Sequence, residues 1–235
     1  MDYLPSFDKP LGWAEGNFLG IAAPPAMNRN RGFTLIELLI VIAIVAVLVS
    51  LALAIIPSVR LRAEAASSLN NLHQIGAGAQ LYANDNEMSL PGRVESRDKW
   101  PKLLEEYLTT SKVYADPLDP ANYLARKRDP LANGANNTSY IMNGYNDVGA
   151  YQDETVSVRM NALDDASQTI LLALQQGHAN FYMDFVEGNQ KDAIRKNIYA
   201  GGSNYLFADG SAHFITEKDY TDTLWLVHKN AQIPK

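Results

Sequence analysis

The sequence predicts an α+β fold: one long N-terminal helix whose C-terminal half packs on a small antiparallel β-sheet domain. Residues 33–56 are apolar or small hydroxyl residues with one ionisable exception, and a helical spacing of apolar residues continues from there to Tyr82. Beyond residue 86 the apolar runs are short and separated by turn residues, which is typical of strands. A long helix followed by a small sheet is therefore the expected order of elements.

The apolar run of residues 33–56 is long enough to cross a membrane. At about 1.5 Å per residue it forms a helix of roughly 36 Å, and the hydrocarbon core of a bilayer is ~30 Å thick. Arg29 and Arg31 precede the run, and Arg60 and Arg62 follow it. Basic residues on the N-terminal side favour a cytoplasmic N-terminus, so the rest of the chain is expected outside the cytoplasm.

The ionisable residue inside the run is Glu37. A carboxylate in a membrane helix is costly and is usually retained for a function with a specific partner. The alternative is that Glu37 lies one turn into the helix, near the interface, where it is hydrated or protonated. Residue spacing alone leaves both readings open.

The segment from Gly32 to Leu38, with the sequence GFTLIEL, resembles the type IV prepilin signature of pilins, type II secretion pseudopilins and competence pseudopilins. The resemblance implies cleavage between Gly32 and Phe33 by a prepilin peptidase and N-methylation of the new Phe33 amine. It also implies that Glu37 pairs with the N-terminal amine of a neighbouring subunit during assembly. The expected partners are this peptidase, other pilin or pseudopilin subunits, the inner-membrane assembly machinery and membrane lipid.

The same resemblance sets the expected domain limits. Residues 1–32 would be a leader removed on processing, and residues 1–26 a mis-annotated start, because Met27 begins a short basic leader by itself. A genuine long leader is the alternative. The remaining segments are the transmembrane part of the helix, its soluble half and the extracytoplasmic α+β domain, at residues 33–56, 57–86 and 87–235.

The apolar positions of the soluble half of the helix fall on one face, which predicts that this face packs on the domain. They are Leu61, Ala65, Ser68, Leu72, Ile75, Ala79 and Tyr82. Pro57 is expected to kink or loosen the helix because it lacks an amide donor. The polar residues 84–86 are expected to end it.

The domain is expected to contain a short helix from Trp100 and strands at residues 139–144 and 169–174. Asp209-Gly210 predicts the turn of a β-hairpin over residues 204–215, because this dipeptide tolerates positive φ. Three further segments are a long loop, a strand or extended segment, and an amphipathic helix, at residues 116–138, 156–160 and 217–229.

The domain also resembles the H-x9-DG processing-associated domain of prepilin-like proteins, through Trp100-Pro101, the stretch 139–143 and the stretch 204–210. The chain departs from that pattern at two places. Tyr199 stands where the motif has its histidine, and Asp116-Pro117 stands where Cys-Pro is usual. A role that depends on that histidine or cysteine is therefore not carried over.

The sequence predicts no enzyme and no cofactor. It has no histidine pair at metal-ligand spacing, no Gly-x-Ser-x-Gly elbow and no P-loop. Calcium is a weaker expectation from the resemblance, since the major pseudopilins of type II secretion use it as a family. The loops with Asp116, Asp119, Asn143, Asn146 and Asp147 are rich in oxygen ligands, and ordinary turn residues are the alternative. The weak candidate ligands are Asp116, Asp119, Asn146 and Asp147.

The net charge of −6 argues against a nucleic-acid partner, because phosphate neutralisation needs clustered Lys and Arg. The favoured function is a structural subunit that is cleaved after Gly32 and assembled through its apolar helix into a type IV pilus or type II secretion pseudopilus. Its expected location is the inner membrane, as a single-pass protein with the C-terminal domain extracytoplasmic. The alternative is a membrane-tethered exported binding or sensory domain that uses the prepilin pathway without polymerising.

Overall fold

The computed structural model describes residues 32–92, 99–119, 138–148, 158–176, 182–183 and 193–231. The chain divides into two compact units, Met1–Val49 and Ser50–Lys235. Residues 1–31 of the expected leader, the Arg126–Arg128 cluster and most of the predicted loop 116–138 lie outside the described residues, as do the first two residues of the predicted segment 156–160. From that last segment, Arg159 forms an isolated bridge with Ser89.

The long helix, α1, runs from Leu35 to Asp85 and contains Pro57. It ends where the polar residues 84–86 predicted its end. All its residues up to Arg60 are exposed, in both units. No described residue of the chain therefore packs over the apolar part of α1 in the first unit or at the start of the second.

Burial along α1 begins in its second half, within the unit Ser50–Lys235. Its buried residues follow the helical period, and they are Ser68, Leu72, Ile75, Gly76, Gly78, Ala79 and Ala83. Leu61, Ala65, Leu69 and Tyr82 are partly buried against the same core. The face that the sequence predicts to pack on the domain is confirmed.

Among the described residues, five strands form one sheet: Tyr140–Asn143 (β1), Ile170–Leu174 (β2), Tyr182–Met183 (β3), Gly202–Phe207 (β4) and Ala212–Thr216 (β5). Their spatial order is β3-β1-β2-β4-β5. The α+β layout is confirmed. The sheet is mixed rather than wholly antiparallel, because the two-residue edge strand β3 runs parallel to β1.

The hairpin of β4 and β5 turns at Asp209-Gly210, as predicted. Gly210 has φ of +83°, and its amide donates to the carbonyl of Phe207 while the Phe207 amide donates to Ser211. A tight turn followed by one left-handed residue is a common three-residue hairpin loop. Asp209 accepts from the amide and hydroxyl of Ser211 at 2.9 and 2.6 Å, which fixes the turn.

Both faces of the sheet are covered. Tyr140, Met142, Leu172 and Leu206 share a core cluster with Leu72 and Ile75 of α1. The alternate strand positions Ile141, Ile170, Tyr205 and Phe207 belong to a second cluster with Tyr220 and Trp225. This alternation is the period of a β-strand, and an irregularity in the pairing of β2 between Ile170 and Leu172 interrupts it.

Trp100 begins the short helix α2, Trp100–Leu103, as the sequence predicts. Its ring is fully buried and meets Tyr114 edge to face, with the ring centroids 5.3 Å apart. The hydroxyl of Tyr114 donates to the carbonyl of Pro101 at 2.8 Å. Trp100 is therefore the core anchor that the sequence suggests.

The predicted amphipathic helix at residues 217–229 is wrong. Only Asp222–Trp225 is helical, as a short 3₁₀ turn. The ring of Tyr220 stacks on Tyr205 at 5.6 Å, and its hydroxyl accepts from the Trp225 indole at 2.9 Å. These contacts with the second face of the sheet override the local helical pattern, which the β-branched Thr221 and Thr223 also weaken.

Candidate functional site

The N-terminus of α1 is closed by its own side chains. Thr34 precedes the helix, and its amide and hydroxyl each donate to Glu37 Oε2 at 2.9 Å. The Glu37 amide lies 3.3 Å from Thr34 Oγ1. These reciprocal bonds form a capping box, in which the first and fourth residues of a helix start satisfy each other's free amides.

The sequence reasoning missed this cap, although its signal was present. Thr34 and Glu37 stand three residues apart directly before an apolar run, which is the sequence form of a capping box. The structure thus gives Glu37 a partner inside its own chain. The predicted bond between Glu37 and a neighbouring subunit's amine needs a second chain and stays a prediction.

Gly32 and Phe33, the expected cleavage residues, are both exposed, and Phe33 is 80% exposed. A Cβ added at Gly32 would meet no atom within 4 Å. Among the described residues, nothing in the packing therefore requires a glycine at position 32. A requirement for glycine here would come from a partner such as a peptidase.

In the unit Ser50–Lys235, polar contacts attach α1 to the domain between Ala65 and Gln80. Asn204 of β4 donates its amide to the carbonyl of Ala65 at 2.8 Å, and Asn71 donates to Ala115 at 2.9 Å. Gln80 donates to the carbonyl of Asp209 in the hairpin turn. Side-chain amides thus donate to backbone carbonyls between α1 and the domain at three points along this half of the helix.

A buried polar cluster beneath α1 joins Asp116 and Tyr199, the two positions at which the chain departs from the H-x9-DG pattern. The Tyr199 hydroxyl lies 2.7 Å from both oxygens of the Asp116 carboxylate. Asp116 is fully buried, and its Oδ1 also accepts from the Leu118 amide at 2.9 Å. The fully buried Ser68 hydroxyl of α1 lies beside the same carboxylate.

Burial raises the pKa of Asp116 above its ordinary value, and the Ser68 and Tyr199 hydroxyls and the Leu118 amide partly oppose that rise. The nearby Asp119 carboxylate raises the pKa of Asp116 further. Burial and the charge of Asp116 also raise the pKa of Tyr199. This cluster is a packed hydrogen-bonding group beneath α1, and its hydroxyl–carboxylate contacts hold the Asp116 loop to the turn before β4.

The four weak calcium candidates divide between two places. Asp116 and Asp119 are buried beneath α1. Asp147 Oδ2 instead accepts from the His228 amide at 2.8 Å near the C-terminus. The side chain of Asn146 lies outside the described residues. In the described part of the chain, no three His, Asp or Glu side chains are grouped as metal ligands would be, and calcium binding stays a prediction.

The C-terminal segment is held by a second set of polar contacts. Asp164 accepts from the Lys229 amide at 2.9 Å, and its other oxygen lies 3.1 Å from the His228 ring. The His228 contact lowers the pKa of Asp164. The Lys229 ammonium donates to the carbonyls of Gln168 and Leu226. These contacts attach the C-terminal segment to the domain and bring together no catalytic set.

In the described residues, one helix, Leu35–Asp85, is long and apolar enough to cross a membrane by length and composition. Residues 27–53 match the family model described as the prokaryotic N-terminal methylation motif. The motif and the apolar helix together indicate a membrane-anchored protein with a single span in its described part. That match indicates a type IV pilin-like prepilin, a substrate of prepilin peptidase.

The matched motif marks a processed substrate and not an enzyme family. It ends at residue 53, so the resemblance of the domain to the H-x9-DG family stays a prediction. No curated protein and no solved structure was found to match the chain.

Proposed function

We propose that this protein is a structural pilin or pseudopilin subunit. It is cleaved after Gly32, methylated on the Phe33 amine and assembled through residues 33–56 into a type IV pilus or a type II secretion pseudopilus. The observation that carries the proposal is the exposed apolar start of α1, most of which lies inside the matched methylation motif.

An apolar surface of this extent needs another apolar phase. Every residue from 33 to 60 is exposed, and the large apolar side chains among them are 49–88% exposed. Soluble proteins rarely leave contiguous apolar patches of more than a few hundred Å² uncovered. Lipid covers this surface before assembly, and the helices of neighbouring subunits cover it afterwards.

Glu37 has a role in each of these two states. Before assembly the Thr34 amide and hydroxyl satisfy its carboxylate, which lessens the cost of an acid at the membrane. During assembly the methylated Phe33 amine of a neighbour supplies an opposite charge in a dry environment. An ion pair of this kind specifies the register between subunits more than it adds stability.

The domain lies outside the cytoplasm in this proposal. The basic residues Arg29 and Arg31 hold the N-terminus on the cytoplasmic side. The domain, with its net acidic surface, then decorates the outside of the filament. No reaction is catalysed, and the work of assembly is done by the helix surface and by Glu37.

The proposal is tested by the mature N-terminus and by filament formation. Mass spectrometry of the protein from its own host is expected to show a chain that begins with methylated Phe33. Glu37→Ala is expected to leave insertion and cleavage intact and to abolish filaments. Thr34→Ala is the matched control, because it removes the same cap but keeps the carboxylate, and it is expected to retain filaments.

Three results would contradict the proposal or a part of it. An intact N-terminus upstream of Gly32 would show that the chain is not processed as a prepilin. Filaments formed by Glu37→Ala as well as by the wild type would remove the proposed role of the carboxylate. A methylated, membrane-bound chain that forms no filament in any background would favour the tethered binding or sensory domain.

A further inference from the structure

A groove lies along the first soluble turns of α1, within the unit Ser50–Lys235. It has a volume of about 430 Å³, inside the usual range of about 300–1,000 Å³ for ligand pockets. One wall is α1 between Ser58 and Leu69, and the other is formed by Tyr199, Ala200, Asn204 and Phe214. Its α1 wall begins immediately after Pro57, where the apolar run ends.

The groove is lined mainly by apolar groups, and its outer wall carries an unusual side chain. Phe214 of β5 is 45% exposed. Among the described residues after residue 33, it is the only phenylalanine or tryptophan that is exposed. The backbone holds it in place, because β5 is paired with β4 at Asn204 and Phe214. An exposed apolar ring beside the end of a membrane helix suits the boundary between headgroups and acyl chains, where membrane-surface segments place Trp, Phe and Leu.

The charge at the groove is positive. Arg62 of α1 lines it and is exposed, and Arg60 lies nearer the apolar run. Arg60 forms an ion pair with Glu64 at 2.9 Å. The Glu64 side chain does not line the groove, so Arg62 is the charged residue of the groove lining. Arginines directly after a membrane span lie at the level of the lipid headgroups, and a guanidinium matches a phosphate with paired hydrogen bonds.

The groove is also continuous with a surface that needs lipid. In the same unit, residues 50–59 are exposed and mostly apolar, and the groove residues follow without a gap at Ser58 and Leu61. A lipid beside residues 50–59 therefore has its headgroup at the level of Arg60 and Arg62. The membrane-side end of the groove, at Ser58 and Leu61, offers apolar contact to the part of that lipid just below the headgroup.

We propose that this groove binds an anionic phospholipid, with its phosphate at Arg62 and its glycerol and upper acyl groups against Leu61 and Phe214. The proposal rests on the membrane insertion in the proposed function. It goes beyond that function because it makes the domain itself a lipid-binding surface. A subunit waiting in the membrane is held against the bilayer, and assembly must release this contact.

The test uses tryptophan fluorescence of the full-length mature chain in vesicles that contain brominated phospholipid, which quenches nearby tryptophans. Phe214→Trp reports the groove. Leu81→Trp is the matched control. Leu81 is exposed like Phe214, but it lies on α1 about 30 Å beyond Leu61, on the side away from the apolar run. Leu53→Trp, in the exposed apolar run, reports membrane insertion itself. The signal of the parent chain is subtracted.

We expect strong quenching at position 53, roughly twofold loss of emission at position 214 and none at position 81. In vesicles with phosphatidylglycerol, Arg62→Gln is expected to weaken the preference of position 214 for anionic over neutral lipid roughly fivefold. High salt should reduce that preference in the wild type, because the headgroup contact is electrostatic. All these positions are exposed, so the variants should fold, and unchanged thermal unfolding would verify it.

Quenching at 53 but equal quenching at 214 and 81 would overturn the groove proposal and leave membrane insertion standing. No quenching at 53 would instead show that insertion has failed. If emission at 214 depends on protein density in the bilayer and not on lipid composition, a second copy of the chain occupies the groove and the lipid proposal is wrong. An unchanged lipid preference in Arg62→Gln would exclude Arg62 as the phosphate contact.

Discussion

The two halves of α1 differ in what their side chains contact. Up to Arg60 the helix is almost wholly apolar and exposed. From Ser68 to Ala83 it is mixed in composition, and its apolar face is buried in the domain core. Leu51 is 60% exposed, whereas Leu72 has no exposure at all. Leucine therefore faces the surroundings of the protein in one half of the helix and packs in the protein's own core in the other.

The difference shows how one helix can carry two functions. A helix that is apolar on every side requires a surrounding apolar phase, whereas a one-sided helix requires a partner on that side. The second half has its partner in the sheet, through Leu72, Ile75 and the tight approach at Gly76. The first half has none among the described residues, so its partners are lipid or other chains.

The largest effect that would sharpen this comparison is in the core. Leu72→Ala is expected to lower the free energy of unfolding of the domain by about 3 kcal/mol, because it leaves a cavity at a fully buried site. The matched variant Leu51→Ala is expected to change it by less than about 0.5 kcal/mol. Urea unfolding in detergent, followed by the fluorescence of the buried Trp100 and Trp225, measures both. Equal losses in the two variants would refute the division of the helix.

A smaller effect is expected where α1 approaches the hairpin. A Cβ at Gly76 would lie 2.7 Å from Leu206 Cδ1 and 2.8 Å from the carbonyl oxygen of Gly210. Because a backbone atom is one of these neighbours, Gly76→Ala should destabilise the domain by about 1–2 kcal/mol despite its better helix propensity. Ala77→Gly, at an exposed neighbouring position, measures the propensity alone. Stabilisation by Gly76→Ala would show that the close approach is not maintained.

The smallest expected effect concerns pH. Burial raises the pKa of Asp116, so the folded state holds its proton more tightly than the unfolded state. This contribution to stability is present below the unfolded pKa and is lost as pH rises towards the folded pKa. The free energy of unfolding of the wild type should therefore fall as the pH rises above about 4, the ordinary pKa of an aspartate in an unfolded chain.

Asp116→Asn is expected to remove this slope, since the amide does not titrate but still accepts from Tyr199. Tyr199→Phe is expected to destabilise the domain, and more strongly at high pH, because the charged carboxylate then loses its hydroxyl donor. Unfolding curves collected between about pH 4 and about pH 8 measure both. A slope that persists in Asp116→Asn would assign it to other groups.

Much of the fold could be predicted from local pattern. The face of α1 that meets the domain, the strands β1 and β2 and the hairpin at Gly210 all depend on periodicity or on turn residues close in sequence. The C-terminal segment could not be predicted, because the stacking of Tyr220 on Tyr205 is a tertiary contact. The parallel pairing of β3 likewise joins short segments that are distant in sequence.

The site was predictable to a different extent. The methylation motif could be read from GFTLIEL alone, since a peptidase recognises a local sequence. The Thr34–Glu37 cap was readable but missed. The contact between Asp116 and Tyr199 was not, because 83 residues separate the two positions and only the fold brings them together.

The division of α1 into an assembling first half and a domain-bound second half is tested most directly by cross-linking between chains. Because the sequence has no cysteine, every disulfide must come from the introduced residues. Pairs of cysteines introduced through the exposed residues 38–56 are oxidised in the native membrane, and the products are separated under non-reducing conditions. The account predicts ladders of covalent oligomers, because a head-to-tail contact between two positions continues from subunit to subunit. The ladders should vanish in Glu37→Ala, and a chain whose one cysteine replaces the buried Ser68 should not form even a dimer. Monomers at every pair tested would contradict assembly through this helix.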